Sequence, residues 1–453
     1  MAGLALVAGC PANDDDGLDG ATGAATPDDP HEPAPDEPDE PDEPDEPDEP
    51  DEPDEPDEPD EPADALAECR LLPGAADWVE GEPFQSTAES TPERIATAGA
   101  QTWVLGLDLL RVVGTSEAPS VVASPASMVT ALGLAYGRWQ DQPCGERIVE
   151  VMHFTEVEDD LHHTIGASIQ ALQSRALPST ESADPVVVSM QQSTWEFGAT
   201  SLPEPTGLGA LYGAKPNAML ERGEPARELI NCIIEAESDG LLPDFLPEGQ
   251  PAADTTSYDV NVAVLKAPWS TGMSERPVAF HFADGSTDSV DGFGTEYTQA
   301  GVFESEALST VDVALRGGQL SVMVVLPPLD FGDGLDAFVT SLDAETLQVA
   351  RDEATPTDIA LSMPKVVIES GTLDYDGRLG FECEPFTLRS VFHGAALELD
   401  HKGIKAAAAT VAEGFEDGGP GAERTIDIDR PFLFFVHDRE TGFVLFSGRY
   451  SPQ

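Results

Sequence analysis

Few residues in this 453-residue chain are arranged for catalysis. There is no G-x-S-x-G nucleophile elbow, no H-E-x-x-H zinc pair and no Gly-rich phosphate loop ending in Lys-Ser or Lys-Thr. Asp374, Asp376 and Gly377 begin like a calcium loop, but the later oxygen ligands do not follow. Asp160, His162 and His163 could in principle donate to a metal. Adjacent histidines leave a helix in different directions, however, so the run reads as an exposed helix face. The expectation is therefore no enzyme, no metal site and no cofactor. Five cysteines, Cys10, Cys69, Cys144, Cys232 and Cys383, include no C-x-x-C pair, which argues against a zinc ribbon or a thioredoxin-like motif. The last four could form two disulfides in an oxidising compartment, in any of three pairings, or remain four buried thiols.

What stands out instead is Leu397 to Glu413, LELDHKGIKAAAATVAE. Ile404, Ala406, Ala408, Thr410 and Ala412 alternate with residues such as Lys405 and Glu413 that want water, which suits the two faces of a strand. Alanine runs equally favour helix, so the residues by themselves leave both open. The combination is more telling. Gly403 is followed by Ala406, Ala407, Ala408, Ala409 and Thr410, then by Pro431-Phe432-Leu433-Phe434-Phe435 and a closing Phe446-Ser447-Gly448-Arg449. This resembles the serpins, in which such a tract is the hinge of an exposed reactive-centre loop.

The resemblance extends in order along nearly all of Cys69 to Gln453. It includes Val121 to Leu132, where a strand turns into a helix with Ser124 placed to cap and Pro125 in the first turn. It also includes Val260 to Trp269, similar to a central strand of the family's large sheet. It implies an α+β fold, with helices packed around a large central mixed sheet, further smaller sheets and an exposed loop. It further implies a protease inhibitor. The target serine or cysteine protease would attack the loop, form an acyl-enzyme and be trapped as the cut loop inserts into the sheet. The alternative from a different class is a non-inhibitory binding module of the same fold. On the family's pattern Ser124, Asn261 and His393 form a shutter that holds the strands which must part, and Trp269 and Lys365 mark where the hinge first enters. The usual Glu two residues before the glycine is His401 here, so Asp400 or Glu398 would have to pair with Lys365. Ile404 would face inward and Lys405 outward. The family's usual spacing places the scissile bond at Asp417-Gly418, while counting back from Pro431 places it near Pro420-Gly421.

The elements that must present this loop follow from pattern. Ile95 to Val113 carries Trp103, Leu107 and Leu110 at helical spacing. Pro185 to Phe197, Leu320 to Pro328, Leu361 to Ser370, Val391 to Leu399 and Val444 to Arg449 each read as a strand. Helices gather early and strands late, as in α+β domains.

Before the domain lie two further segments. Residues 1–10 end in Leu6-Val7-Ala8-Gly9-Cys10, which resembles a bacterial lipobox with Cys10 as the acylated residue. Residues 11–68 contain nine copies of Asp-Glu-Pro between Asp36 and Pro62. Like charges repel there, proline removes a donor in every repeat and nothing apolar is available to bury, so the segment reads as an extended acidic stalk. Residues 69–453 form the domain. About 26 of the 86 acidic residues precede residue 65, and the remainder still carries about -38 of the total -64. Such a surface repels phosphates, which argues against nucleic acid or an anionic bilayer as partner. The expected partner is a target protease, with the membrane engaged only through lipid on Cys10. The expected state is a monomer at a bacterial cell surface or outer membrane, or secreted.

Overall fold

The computed structural model describes residues 65–453 except 83–86, 114–118, 142, 181, 203–206, 239, 330, 333, 375–391 and 406–420. A short helix α1 (Ala65–Cys69) and a 3-10 turn (Pro73–Asp77) lead to β1 (Val79–Glu80). Helix α1 begins a few residues ahead of the expected domain start at Cys69. The long helix α2 (Pro92–Val113) follows, with Trp103, Leu107 and Leu110 buried as its spacing predicts. Strand β2 (Val121–Ala123) ends at Ser124, whose Oγ accepts a bond from the Ser127 amide at 3.1 Å and caps α3 (Pro125–Trp139). Next come α4 (Pro143–Met152), α5 (Glu158–Gln173), β3 (Val187–Phe197), α6 (Gly207–Tyr212), β4 (Lys215–Met219) and α7 (Glu224–Glu237).

Strands dominate thereafter, in line with the α+β expectation. They are β5 (Ser257–Pro268), β6 (Ser274–His281), β7 (Thr287–Glu304), β8 (Ser309–Ala314) and β9 (Leu320–Leu326). After α8 (Gly334–Ser341) and α9 (Ala344–Asp352) come β10 (Thr355–Pro364), β11 (Val366–Asp374), β12 (Phe392–Asp400) and β13 (Gly403–Lys405). The chain closes with β14 (Arg424–Asp427), β15 (Phe432–Asp438) and β16 (Val444–Tyr450).

Two sheets result. The seven-stranded sheet runs β1-β4-β3-β5-β13-β12-β11. The nine-stranded sheet runs β14-β10-β7-β8-β9-β15-β16-β2, with β6 paired to β7. Every residue of β9 and β15 is buried, which explains their nearly unbroken apolar runs. Helix α2 lies against this core. The Trp103 ring stacks on Phe435 at 4.9 Å and its Nε1 donates to the Gly442 carbonyl at 2.8 Å. Strand β5 is covered on both faces. Ala263, Leu265 and Ala267 join the main core, while Val260, Val262 and Val264 pack in a second cluster with Leu229, Ile230 and Ile233 of α7.

Two expectations need correcting. Leu361 to Ser370 is not one strand. The chain changes sheets at Lys365, so β10 pairs with β7 in one sheet and β11 with β12 in the other. Pro364, which has no amide to extend a ladder, ends the first half, and the Lys365 amide donates to the Asp291 carbonyl at 2.9 Å. Nor does the Asp160 to His163 run lie wholly on an exposed face. His162 is fully buried, its Nδ1 is 2.9 Å from the Tyr212 hydroxyl, and burial pushes its pKa down to about 4. Among the described residues no cluster of His, Cys, Asp or Glu is arranged to hold a metal. The cysteine alternatives resolve in part. Cys69 is bonded to Cys232, and Cys144 is also in a disulfide, whereas Cys383 lies outside the described residues.

Candidate loop-insertion site

The site begins where β12 ends. The chain leaves β12 at Asp400, turns through His401 and Lys402, and returns at once as β13. Several bonds fix the turn. The Asp400 carboxylate accepts from the Lys402 amide at 2.8 Å. The Asp400 carbonyl accepts from Trp269 Nε1 at 2.7 Å, and the Trp269 amide donates to the Lys402 carbonyl at 3.3 Å. Trp269 is buried beside Phe293, with ring centroids 5.9 Å apart, so it is a rigid peg at the end of β5. His401 reaches Glu275 at 3.4 Å.

The turn delivers Gly403, Ile404 and Lys405, the expected start of the hinge, into the sheet. On one side Gly403, Ile404 and Lys405 stand opposite Asp400, Leu399 and Glu398. On the other, Gly403 and Ile404 stand opposite Pro268 and Ala267 of β5. Among the described residues β5 and β12 form no ladder with each other, and β13 is what joins them. Gly403 has φ +134°, and a Cβ there would lie 2.1 Å from the Ala267 carbonyl oxygen. Only glycine allows so close a backbone approach. Ile404 points inward and is 5% exposed, as its place in the alternation predicts.

Of the two carboxylates that could replace the missing glutamate, Glu398 is the one that pairs with Lys365, at 2.6 Å. Its hydrogen bond raises the Lys365 pKa. Asp400 is buried and committed to the turn.

Further down the sheet, Ser124 and Asn261 meet at one small cavity of about 10 Å³, roughly the room one water needs. Ala395 and Ala396 of β12 close it. Ser124 Oγ donates to the Leu445 carbonyl at 2.7 Å, and Asn261 Nδ2 donates to the Gln191 carbonyl at 3.3 Å. Asn261 Oδ1 is buried without a partner among the described residues. His393 sits on β12 opposite Leu373, but its side chain lies outside the described residues. So do Ala406, Ala407, Ala408, Ala409 and Thr410 of the hinge and the expected scissile pair Asp417 and Gly418. Sequence reasoning missed Phe293, Glu275 and Asp291, which hold Trp269, His401 and Lys365. These are contacts between distant segments, and no local pattern announces them.

The chain belongs to the serpin family. The family model, described as serpin (serine protease inhibitor), matches residues 101–452. Among curated relatives, human Serpin B3 is 24% identical over 408 residues, covering 76% of this chain and 96% of the relative. An uncharacterised serpin-like protein of Thermococcus kodakarensis is 25% identical, covering 73% and 80%. Among solved structures, the thermophilic serpin tengpin in its native state superposes with a TM-score of 0.67 at 16% identity, covering 82% and 97%. Human thyroxine-binding globulin follows at 0.63 and 18%, covering 80% and 100%. Members of the family are generally protease inhibitors, and the last structure is of a thyroxine-binding member.

Proposed function

We propose that this chain inhibits a serine or cysteine protease by covalent trapping. The protease nucleophile would attack the Asp417 carbonyl and the Asp417–Gly418 bond would break, with Gly418 leaving as the free amine. The freed hinge would then extend β13 down the sheet between β5 and β12, carrying the acylated protease with it. The observation that supports this most directly is β13 itself, three hinge residues paired to β12, the first two of them also to β5. Small residues from Ala406 to Thr410 can continue that strand without overpacking. An acidic residue before the cut suits a protease with a basic specificity pocket.

The test is incubation with a panel of serine and cysteine proteases, then denaturing electrophoresis and melting of the loop-cleaved protein. Trapping gives an adduct that survives denaturation and a large rise in melting temperature. Clean cleavage with neither would show the non-inhibitory binding module instead. Mass spectrometry of the released peptide fixes the scissile bond.

The same proposal places residues 1–10 as a lipoprotein-type leader ending in acylated Cys10, 11–68 as a stalk and 69–453 as the domain, displayed at a bacterial surface. The Cys69–Cys232 disulfide suits an oxidising compartment. Among the described residues no helix is long and apolar enough to cross a membrane. Metabolic labelling with a fatty acid should mark the wild type and not Cys10→Ala.

A further inference from the structure

Arg70 is the first basic residue of the sequence, and it comes directly after Cys69. Between Met1 and Cys69 there is no Lys, Arg, Phe, Tyr or Trp. A protease that cuts after basic or aromatic residues therefore finds no site in that segment. The first bond after a basic residue is Arg70–Leu71, and the next basic residue is Arg94, already inside α2. The Arg70–Leu71 bond lies in the turn that follows the five-residue helix α1. Leu71 is 84% exposed, and the Arg70 side chain is 55% exposed. Arg70 sits over the Trp78 ring at 5.0 Å and pairs with Glu80, and it exchanges both contacts for the acidic pocket of such a protease. An exposed turn beside a short terminal helix is where proteolytic nicking concentrates.

A cut there divides the molecule unevenly. The downstream side stays with the domain through Leu72, Ala75 and Trp78, which pack in the second cluster with α7. It is held further by the pairing of β1 with β4. The upstream side keeps only α1. Leu66 of α1 reaches the same cluster, but a helix of five residues does not persist by itself in water. What holds the upstream side is covalent. Cys69, one residue before the cut, is bonded to Cys232 in the middle of α7.

We propose that Arg70–Leu71 is a processing site for a trypsin-like protease, and that the Cys69–Cys232 bond keeps residues 1–70 on the domain after the cut. The domain then comes free only when the disulfide is also reduced. Neither event suffices alone. Reduction of the intact chain leaves the peptide bond, and nicking of the oxidised chain leaves the disulfide. The cut adds water across the peptide bond and yields an Arg70 carboxylate and a Leu71 amine. The second step takes a dithiol. Cys69 is fully buried and Cys232 partly exposed, so the attacking thiolate takes the Cys232 sulfur and Cys69 leaves as a thiol. The dithiol then closes to its own disulfide and frees Cys232, so two electrons and two protons end on the two cysteines. This depends neither on trapping nor on lipid at Cys10.

The test holds the full chain on a support through a tag at residue 1. The chain is treated briefly with trypsin, washed, and then given dithiothreitol in native buffer. Trypsin alone should nick the chain and leave the domain on the support, and dithiothreitol should then elute it with Leu71 as its new N-terminus by mass spectrometry. Dithiothreitol alone should elute nothing. Arg70→Gln should abolish elution in every arm. Cys69→Ser/Cys232→Ser should elute with trypsin alone. If that double variant does not fold, the wild type with and without dithiothreitol decides. Elution of the wild type by trypsin alone overturns retention by the disulfide. A domain that stays on the support after nicking and reduction is held by packing of α1, which also overturns it. An intact Arg70–Leu71 bond in chains already cut after Lys405 or Arg424 overturns the processing site.

Discussion

Lys365 Nζ lies 2.6 Å from Glu398 Oε1, across the boundary between the strand that changes sheets and the strand that feeds the hinge. In the β12–β13 register Glu398 also stands opposite Lys405. Glu398 is thus the β12 residue that both pairs with Lys365 and stands in register with the last residue of β13.

This pair is partly exposed, so its worth is set by screening. Exposed ion pairs contribute about 0.2–1 kcal/mol, less in salt. Glu398→Ala should lower the melting temperature of the intact protein slightly at low ionic strength, and the difference should shrink in high salt. Asp400→Ala should cost more and show little salt dependence, because it removes a buried turn bond. Thermal denaturation of both variants at two salt concentrations checks the contrast.

Gly403→Ala should damage the hinge rather than the fold at large. The added Cβ meets the Ala267 carbonyl oxygen at 2.1 Å, and φ +134° is itself strained for alanine. Strain of this kind costs about 1–3 kcal/mol. The simplest relief is for β13 to leave its place between β5 and β12. The Ile404 amide should then exchange with solvent faster than in the wild type. Covalent adduct should fall while cleaved, untrapped inhibitor rises, because insertion starts from outside the sheet. Hydrogen exchange read by mass spectrometry, with titration against a trapped protease, measures both.

How much of this was legible beforehand depended on whether the signal was local. The capped start of α3 could be read because Ser124, Pro125 and Ser127 are neighbours. Strand β9 could be read because burial on both faces leaves an apolar run. The inward turn of Ile404 followed from alternation once the family resemblance made the tract a strand. The switch of sheets at Lys365 was hidden, because both halves alternate like a strand and only their partners, β7 and β12, tell them apart. The burial of His162 depended on Tyr212, fifty residues away. The Cys69–Cys232 bond spans 163 residues, a separation that carries no pairing information in a single sequence.

Buried His162 and half-buried Glu237 should give the stability a pH profile with opposing slopes. His162 is held neutral by burial, with its pKa pushed down to about 4 from an ordinary 6.5. A base with a depressed folded pKa gives stability that is whole above pH 6.5 and declines as pH falls toward 4. Glu237 is the reverse. Burial raises its pKa to about 7 from 4.5, with Lys215 opposing and Glu80 adding to the rise. The unfolded chain gives up that proton first, so stability declines as pH rises from about 4.5 to about 7 and is flat beyond. Glu237→Gln should therefore stabilise the protein at pH 8 much more than at pH 4. Chemical denaturation across that range, for wild type and variant, reports the difference directly.

Ile404 offers the sharpest separation of folding from function. It is 5% exposed, and it packs from β13 into the main core. Ile404→Val removes one methylene and should cost about 0.5–1.5 kcal/mol, leaving trapping intact. Ile404→Asp puts an unpaired charge into the same site. The carboxylate would be left without a partner, or β13 would swing out to keep it in water. Swinging out is open to this residue because, among the described residues, β13 is a three-residue strand whose ladder partners are β12 and β5. The aspartate variant should thus stay folded, with a melting temperature before cleavage below that of Ile404→Val, since it gives up the burial of the whole side chain. It should be cut by the target protease at an unchanged rate but release it without adduct, and its cleaved form should melt well below the cleaved wild type. Retained adduct formation in Ile404→Asp would mean that the strand begun by β13 is not the one whose growth traps the protease.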